Sequence, residues 1–158
     1  MSDKYTIELP IVKKSIGHSG IIDVAKTSEL FFRDSLEQFA RYFKHEFRYD
    51  NMQYCANEHT DQHVAYQGFI FTESTFDTMT EEDIETPTRL LGGGCFRNRN
   101  FKDGPVWVLD WVWIHPFMRN KGLLTKHWGY FKSHFGEFHV EPPYSKAMEY
   151  FLKKQKST

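Results

Sequence analysis

Cysteine is scarce in this chain, with only Cys55 and Cys95 among its 158 residues. Two cysteines cannot build the disulfide framework that supports many small secreted domains, and free thiols suit a reducing compartment. No apolar run approaches the roughly 20 residues that a membrane helix needs, and the first residues lack the pattern of a signal peptide. We therefore predict a cytoplasmic protein that does not act at a membrane.

The chain also carries almost no excess charge, since 20 Lys and Arg residues face 21 Asp and Glu residues, for a formal net charge of −1. A nearly neutral chain is not drawn to nucleic acid as a whole, and no basic stripe with interleaved aromatic residues favours that partner locally. The composition is 40% hydrophobic and 17% aromatic, which is typical of a globular protein. We predict a single domain over residues 1–158 that does not bind nucleic acid.

The spacing of apolar residues predicts both strands and helices. Five apolar residues three or four apart define one face of a first helix: Phe32, Leu36, Phe39, Phe43 and Phe47. Two more helices are predicted over 122–135 and 145–154, and strands over 5–12, 64–71, 89–97, 106–114 and 138–141. This order predicts an α/β fold of the α+β type, with a mixed sheet flanked by helices.

Three connections in this order have a distinctive composition. An acidic, Thr-rich loop or short helix is predicted over 73–87, where its charge would suit a cationic ligand. A turn is predicted over 98–105, ending in Asp-Gly-Pro. The glycines 92–94 either weaken the strand over 89–97 or let another backbone approach it closely.

The most informative segment is VWVLDWVWIHPFMRNKGLL, residues 106–124. A buried strand ends near Ile114, a turn begins at His115-Pro116, and a basic segment with Gly122 opens the next helix. A helix start presents N–H groups without intrahelical partners and the positive end of the helix dipole, so it suits a phosphate. Glycine at this point removes the side chain that would block the phosphate.

This spacing resembles the acetyl-CoA signature of the GCN5-related N-acetyltransferases, the GNAT superfamily. That signature reads Gln/Arg-x-x-Gly-x-Gly/Ala after an apolar strand and x-Pro, and Ile114, Pro116, Arg119 and Gly122 occupy the matching places. Leu124 departs from it, and either turns into the core or crowds the phosphates.

The resemblance implies the GNAT acyl-CoA N-acyltransferase fold, with acetyl-CoA as co-substrate. It implies that the backbone of Val112, Trp113 and Ile114 pairs with the pantetheine arm. It further implies that the phosphates are bound by Arg119, Asn120, Lys121, Gly122, Leu123, Leu124 and Thr125.

The implied activity is transfer of acetyl to a primary amine of a small molecule or a protein, by direct attack in a ternary complex. The alternative is a module on the same fold that binds an acyl-CoA or a protein without turnover. Many members of the superfamily continue with two strands after the last helix predicted here. Those strands help to shape the acceptor site, so their apparent absence leaves its closure open, and a second subunit in a homodimer is one way to supply it.

Two carboxylates are candidates for the base that deprotonates the amine. Asp110 is the one charge inside an apolar strand, so it is either catalytic or a structural hydrogen-bonding group. Glu141 ends the following strand, where some members of the superfamily place a catalytic Glu. His115 and His139 are the reserve candidates.

The acid that protonates the leaving thiolate is harder to assign. In the superfamily it is usually a Tyr on the last helix, and the matching place here holds Phe151, which has no proton to donate. Tyr144, Ser145 and Tyr150 are the substitutes nearby.

Two further patterns involve residue types that can bind ligands. Cys55, His59 and His63 are spaced like metal ligands on a helix, but the sequence offers no fourth ligand, so we predict no metal site. Trp107, Trp111 and Trp113 alternate along one strand and are predicted to share one face. There they either pack in the core or stack on an aromatic substrate.

Overall fold

The computed structural model describes residues 7–16, 19–56, 66–101, 104–142 and 144–156. Its strands are β1 Ile11–Val12, β2 Ile21–Val24, β3 Tyr66–Ser74, β4 Thr88–Phe101, β5 Gly104–Ile114 and β6 His139–Val140. Its helices are α1 Leu30–Phe47, α2 Leu123–Phe135 and α3 Lys146–Lys156, and two 3-10 turns cover Phe76–Thr78 and Pro116–Met118.

The described strands form one mixed sheet in the order β2-β3-β4-β5-β6, with β1 paired to the start of β4. All pairings are antiparallel except β5 with β6, which run parallel. A parallel pair needs a crossover connection, and α2 supplies it. The predicted fold class is confirmed: a mixed six-stranded sheet is flanked by three helices.

Several predicted boundaries differ from the structure. The strands β4 and β5 continue through the predicted turn at 98–105, where Asn98 pairs with Trp107 and Arg99 with Val106. Polar residues on these outer positions hid the strand signal. The prediction missed β2 because four residues are too few to show a period. Of the first predicted strand, Ile11–Val12 is observed, and residues 1–6 lie outside the described ranges.

The sheet separates two apolar cores. On one face, α1 buries Leu36 and Phe39 against β3, β4 and β5. On the other face, α2 buries Phe131 and Phe135 against Phe96 of β4. The predicted start and stop of α2 are close to the structure, since Gly122 precedes the helix and Gly136 follows it, both with positive φ.

A β-bulge divides β5 into two halves. Cys95 pairs with Trp111 and the next residue, Phe96, pairs with Leu109, so Asp110 is the extra residue. The bulge reverses the alternation of side chains along the strand. Trp107 therefore packs on Phe135 on the α2 face of the sheet, with 5.0 Å between ring centroids. Trp111 and Trp113 belong to the core on the α1 face. The prediction that the three tryptophans share one face was wrong.

The three glycines of β4 allow close approach of neighbouring backbones, the second of the two predicted alternatives. A Cβ added to Gly94 would lie 2.2 Å from the Trp111 carbonyl oxygen, and one added to Gly93 would lie 2.4 Å from the Phe69 carbonyl oxygen. These contacts leave no room for a side chain in the middle of the sheet.

We predict that Gly94→Ala lowers the free energy of unfolding by about 1–3 kcal/mol, because the added methyl group overpacks a rigid backbone contact. Urea denaturation would measure it. The control is Gly129→Ala on α2, where an added Cβ has open space among the described residues. There the change should stabilise by about 0.5–1 kcal/mol. Equal midpoints for the two variants would contradict the prediction.

Candidate active site

The strands β5 and β6 separate after a short parallel pairing. Val108 pairs with His139 and Leu109 with Val140, and the Glu141 N–H donates to the Leu109 carbonyl at 3.0 Å. From Asp110 onward no pairing of β5 with β6 is seen in the described residues. The separation thus begins just before Val112, Trp113 and Ile114, the residues whose backbone the resemblance pairs with pantetheine.

Beyond the bulge, the backbone of β5 presents alternate residues to this gap. The Trp111 and Trp113 carbonyls face β4, because a Cβ on Gly94 or Gly92 would lie 2.2 or 2.3 Å from them. The polar groups of Val112 and Ile114 therefore face the opposite edge. Of the three residues expected to pair with pantetheine, Trp113 directs its backbone away from the gap.

The gap opens into a pocket of about 400 Å³. From the α1 side, the pocket is lined by Phe43, Phe47, Tyr49, Gln53 and Trp111. From the α3 side, it is lined by Val140, Pro142, Tyr144, Ser145 and Met148. The pocket thus connects the two faces of the sheet through the gap. Sequence reasoning missed Tyr49 and Gln53, because the connection after α1 carries no periodic pattern.

Four charged side chains form a chain beside the pocket. Asp110 lies 3.5 Å from Nη2 of both Arg97 and Arg99, and Arg99 Nη1 lies 3.4 Å from Glu141. The Asp110 side chain is 7% exposed and that of Glu141 is 33% exposed. The structure therefore brings both predicted carboxylates together, and Arg99 joins them. Asp110 is engaged by two guanidinium groups, whereas Glu141 faces the pocket more openly.

The candidate acids lie in different places. Tyr144 lines the pocket, and its hydroxyl donates to the Val140 carbonyl at 3.2 Å. Tyr150 is 63% exposed on α3, with Lys154 over its ring, and is not among the described residues that line the pocket. Phe151, at the usual place of the acid, packs edge-on against Trp128 at 4.8 Å in the core. Of the two predicted tyrosines, Tyr144 is therefore the better placed.

The segment before α2 is shaped as a phosphate loop. Asn120 and Gly122 adopt φ of 63° and 84°, a left-handed backbone that Asn and Gly tolerate. A Cβ on Gly122 would meet no heavy atom of the described residues within 4 Å, so this point faces open space. The first turn of α2, all of it described, carries no acidic side chain. Leu124 packs against the core, the first of the two predicted alternatives for this residue.

The side chain of Arg119 does not extend freely toward a phosphate but ties the loop to α1. Its Nη1 and Nη2 donate to the two Glu46 oxygens at 2.7 and 2.6 Å. Its Nε donates to the Ile114 carbonyl at 2.8 Å, and the Trp113 indole N–H donates to Glu46 Oε1 at 3.0 Å. The loop can then offer a phosphate its backbone N–H groups, with Lys121 exposed beside them.

Several solved structures that resemble this chain are acetyltransferases. The acetyltransferase domain of xEco2 bound to a CoA conjugate superposes with a TM-score of 0.52 at 11% identity, covering 87% of each chain. The chain has the GNAT fold. At this identity, the GNAT fold is all that the likeness establishes.

Two further similar structures have lower scores. The ribosomal-protein-alanine N-acetyltransferase from Brucella melitensis biovar Abortus 2308 has a TM-score of 0.48 at 13% identity, covering 86% of this chain and 89% of its own. An aminoglycoside acetyltransferase from an uncultured soil metagenomic sample, in complex with sisomicin, has 0.48 at 17%, covering 87% and 85%. The sequence matches no protein-family model, and a search of curated proteins found no relative.

His115, a reserve base, serves within this GNAT fold as a cap of the turn that follows β5. Its Nδ1 accepts a hydrogen bond from the Phe117 N–H at 3.1 Å. Burial, and then the positive charge of Arg119, lower the pKa of His115. His115 thus helps to shape the path from β5 to the phosphate loop. The other reserve base, His139, lies in the parallel pairing with Val108.

Within the described ranges, no helix is both long and apolar enough to cross a membrane. Those ranges also contain no group of three His, Cys, Asp or Glu side chains placed to hold a metal ion. His59 and His63 lie outside them, so the absence of a metal site stays a prediction.

We predict that Glu46→Gln lowers the free energy of unfolding at pH 7 by about 1–3 kcal/mol, through the lost charge-assisted hydrogen bonds. Burial raises the pKa of Glu46, but the hydrogen bonds and charge of Arg119 and the hydrogen bond from Trp113 outweigh it, so the pKa lies below its ordinary 4.5. The difference from the wild type should therefore be complete above pH 4.5. It should shrink as the pH falls through the folded-state value, where the wild-type carboxylate is protonated too.

Urea denaturation across this pH range measures the effect. Glu137→Gln is the control, because Glu137 is 94% exposed and pairs only with Lys132 among the described residues. Its stability should stay within about 0.5 kcal/mol of the wild type. If Glu46→Gln were as stable as this control at pH 7, the Glu46–Arg119 pair would not stabilise the fold.

Proposed function

We propose that the protein is an N-acetyltransferase that moves acetyl from acetyl-CoA to a primary amine by direct attack in a ternary complex. The observation that carries the proposal is the gap between β5 and β6. Its open backbone edge leads from the pocket at Asp110–Val112 past Ile114 to the phosphate loop. A thioester on an extended arm with a pyrophosphate at its other end fits that shape.

In this proposal the phosphates lie at the start of α2, on the N–H groups of residues 122–125 and the positive end of the helix dipole. The pantetheine amides pair with the edge that Val112 and Ile114 present. Because the Ile114 carbonyl already accepts from Arg119, we assign this pairing to the Val112 carbonyl and the Ile114 N–H, which leaves the Val112 N–H for the reacting thioester. The acetyl group then lies in the pocket beside Asp110 and Val112.

The reaction needs a neutral amine and a donor for the oxyanion. We assign the donor to the Val112 N–H at the gap. The amine lone pair forms a bond to the carbonyl carbon, and the C–S bond then breaks. Glu141 takes the amine proton, directly or through water, because it faces the pocket more openly than Asp110. Asp110 acts as a positioning residue that holds Arg99.

The departing thiolate needs a proton. The Tyr144 hydroxyl lines the pocket and already makes a hydrogen bond to the Val140 carbonyl at 3.2 Å. It is the proposed acid. Ser145, which lines the same side of the pocket, offers a second hydroxyl.

A second candidate function is a module that binds an acyl-CoA or a protein partner without turnover. Phe151 favours it, since the usual position of the acid is filled by a ring packed on Trp128. The two candidates differ in turnover. An enzyme supplied with acetyl-CoA and amines releases free CoA, whereas a binding module does not.

The remaining expectations stand as part of the proposal. We propose that residues 1–158 form one domain in the cytoplasm, without a bound metal, nucleic acid or membrane as partner. We also propose a homodimer, in which the second subunit closes the acceptor side of the pocket.

We predict that Gly122→Glu weakens acetyl-CoA binding at least about 100-fold, because the carboxylate would stand beside the phosphates. Calorimetric titration with acetyl-CoA measures this. The matched control is Gly136→Glu at the other end of α2, where φ is also positive, 71° against 84°. It carries at least as much backbone strain, because its ψ of −147° lies outside the left-handed helical region that Gly122 occupies with ψ of 15°, and it does not face the phosphates. Equal affinities of the two variants for acetyl-CoA would show that the phosphate site does not lie at Gly122.

We predict that Glu141→Gln lowers kcat by about 100-fold or more, as expected for loss of a general base. Asp110→Asn should lower kcat less and reduce the free energy of unfolding, because it leaves Arg97 and Arg99 without their shared carboxylate. Steady-state rates and urea denaturation of both variants separate the two roles. The base is Asp110 if Asp110→Asn lowers kcat without changing the free energy of unfolding and Glu141→Gln leaves kcat unchanged.

A further inference from the structure

We infer that the acceptor is a primary amine on an aromatic or apolar body whose far end carries a negative charge. This inference rests on the proposed function and specifies its substrate class. It is drawn from two adjoining regions on the α1 side of the pocket: an aromatic box of Phe43, Phe47, Tyr49 and Trp111, and a basic groove at the end of α1.

The aromatic box is built from rings that already pack on one another. Phe43 lies 5.0 Å from Phe47, 5.1 Å from Tyr49 and 5.7 Å from Trp111 between ring centroids, and its ring is nearly parallel to that of Tyr49. Phe47 stays 37% exposed, so its ring offers apolar surface to a ligand. Such a surface suits the flat face of an aromatic or apolar body.

The basic groove continues from the box, because Tyr49 lines both. Its other described lining residues are Arg41, Lys44, His45, Glu46, Arg48 and Met52. Within the part of the chain that the structure describes, Arg41 pairs with Glu37, and Glu46 is held by Arg119 and Trp113. Among the residues that the structure describes, Lys44 and Arg48 have no ion-pair partner. The groove therefore offers positive charge that no carboxylate of the groove offsets.

The helix dipole favours cations at the C-terminal end of α1, and this alone would explain the basic side chains there. The groove adds a concave surface that adjoins the pocket at Tyr49. An acceptor with its amine at Glu141 and Val112 and its ring in the box would extend its other end past Tyr49. A carboxylate or phosphate at that end would meet Lys44 and Arg48.

Polycationic acceptors fit this pocket poorly. Its carboxylates, Asp110 and Glu141, are already paired with Arg97 and Arg99. The acidic segment 73–87, expected from the sequence to suit a cationic ligand, makes its ion pairs elsewhere: Glu73 and Asp77 with Arg89, and Asp83 with Lys13. None of its residues is among the described residues that line the pocket or the groove.

The test compares two acceptors that differ only in charge at the far end, para-carboxyphenethylamine and its methyl ester. With acetyl-CoA saturating, the acid should have a kcat/KM roughly five- to tenfold higher than the ester at low ionic strength. Added salt should reduce the ratio, because the groove is open to solvent. Product formation is followed by mass spectrometry.

The double variant Lys44→Gln/Arg48→Gln should bring the ratio close to one while leaving kcat/KM for the ester unchanged. Lys26→Gln is the control, an exposed cation that lines neither the pocket nor the groove in the described residues. It should keep the wild-type ratio. An ester used as well as the acid, or a ratio that survives in the double variant, overturns the inference and leaves the transferase proposal intact.

A binding measurement separates this inference from the proposed function. Para-ethylbenzoate has the ring and the charge but no amine, and its binding is measured by calorimetry against its methyl ester. If no amine is acetylated but para-ethylbenzoate binds and the double variant loses it, the subsite stands and the transferase proposal fails. If amines are acetylated but para-ethylbenzoate binds no better than its ester, the subsite fails.

Discussion

The extra residue at Asp110 determines which atoms of β5 face the neighbouring strands. Before the bulge, the Leu109 carbonyl is directed to β6, where it accepts the Glu141 N–H. After the bulge, the Trp111 and Trp113 carbonyls are directed to β4, so Val112 and Ile114 face the open edge. A regular strand has a period of two and would place the opposite set of residues there. One added residue therefore decides which N–H and which side chains border the pocket.

The Glu46–Arg119 pair connects the two halves of the site. It joins the loop before α2, on one face of the sheet, to the end of α1 on the other. The Trp113 indole and the Ile114 carbonyl take part in the same set of hydrogen bonds, so the end of β5 is fixed as well. Both partners are partly exposed, and the set should be judged as a network rather than as an isolated surface pair. It neutralises Glu46 in a groove that is otherwise basic.

Charge in the pocket is balanced internally. Arg97, Asp110, Arg99 and Glu141 alternate in sign along one chain of contacts, which reduces the cost of holding a mostly buried carboxylate. The arrangement leaves Glu141 at the more exposed end, where it can exchange a proton with a ligand or with water. Two carboxylates of the same type thus differ in exposure and in the number of cations they contact.

The sequence by itself determined the fold class, the strand-turn-helix around Pro116 and the ends of α2, because these depend on apolar periodicity, proline and glycine within short segments. It also singled out Asp110 as the one charge inside an apolar strand, while the resemblance to the superfamily singled out Glu141 and Tyr144 by their places in its pattern. It could not give the bulge, because register is set by pairing between strands distant in the chain. It could not give the Arg119 partner, because Glu46 is 73 residues away, nor Tyr49 and Arg99 as pocket residues. Only the tertiary structure decided those contacts, since hydrogen bonds and ion pairs across a sheet leave no local period in the sequence.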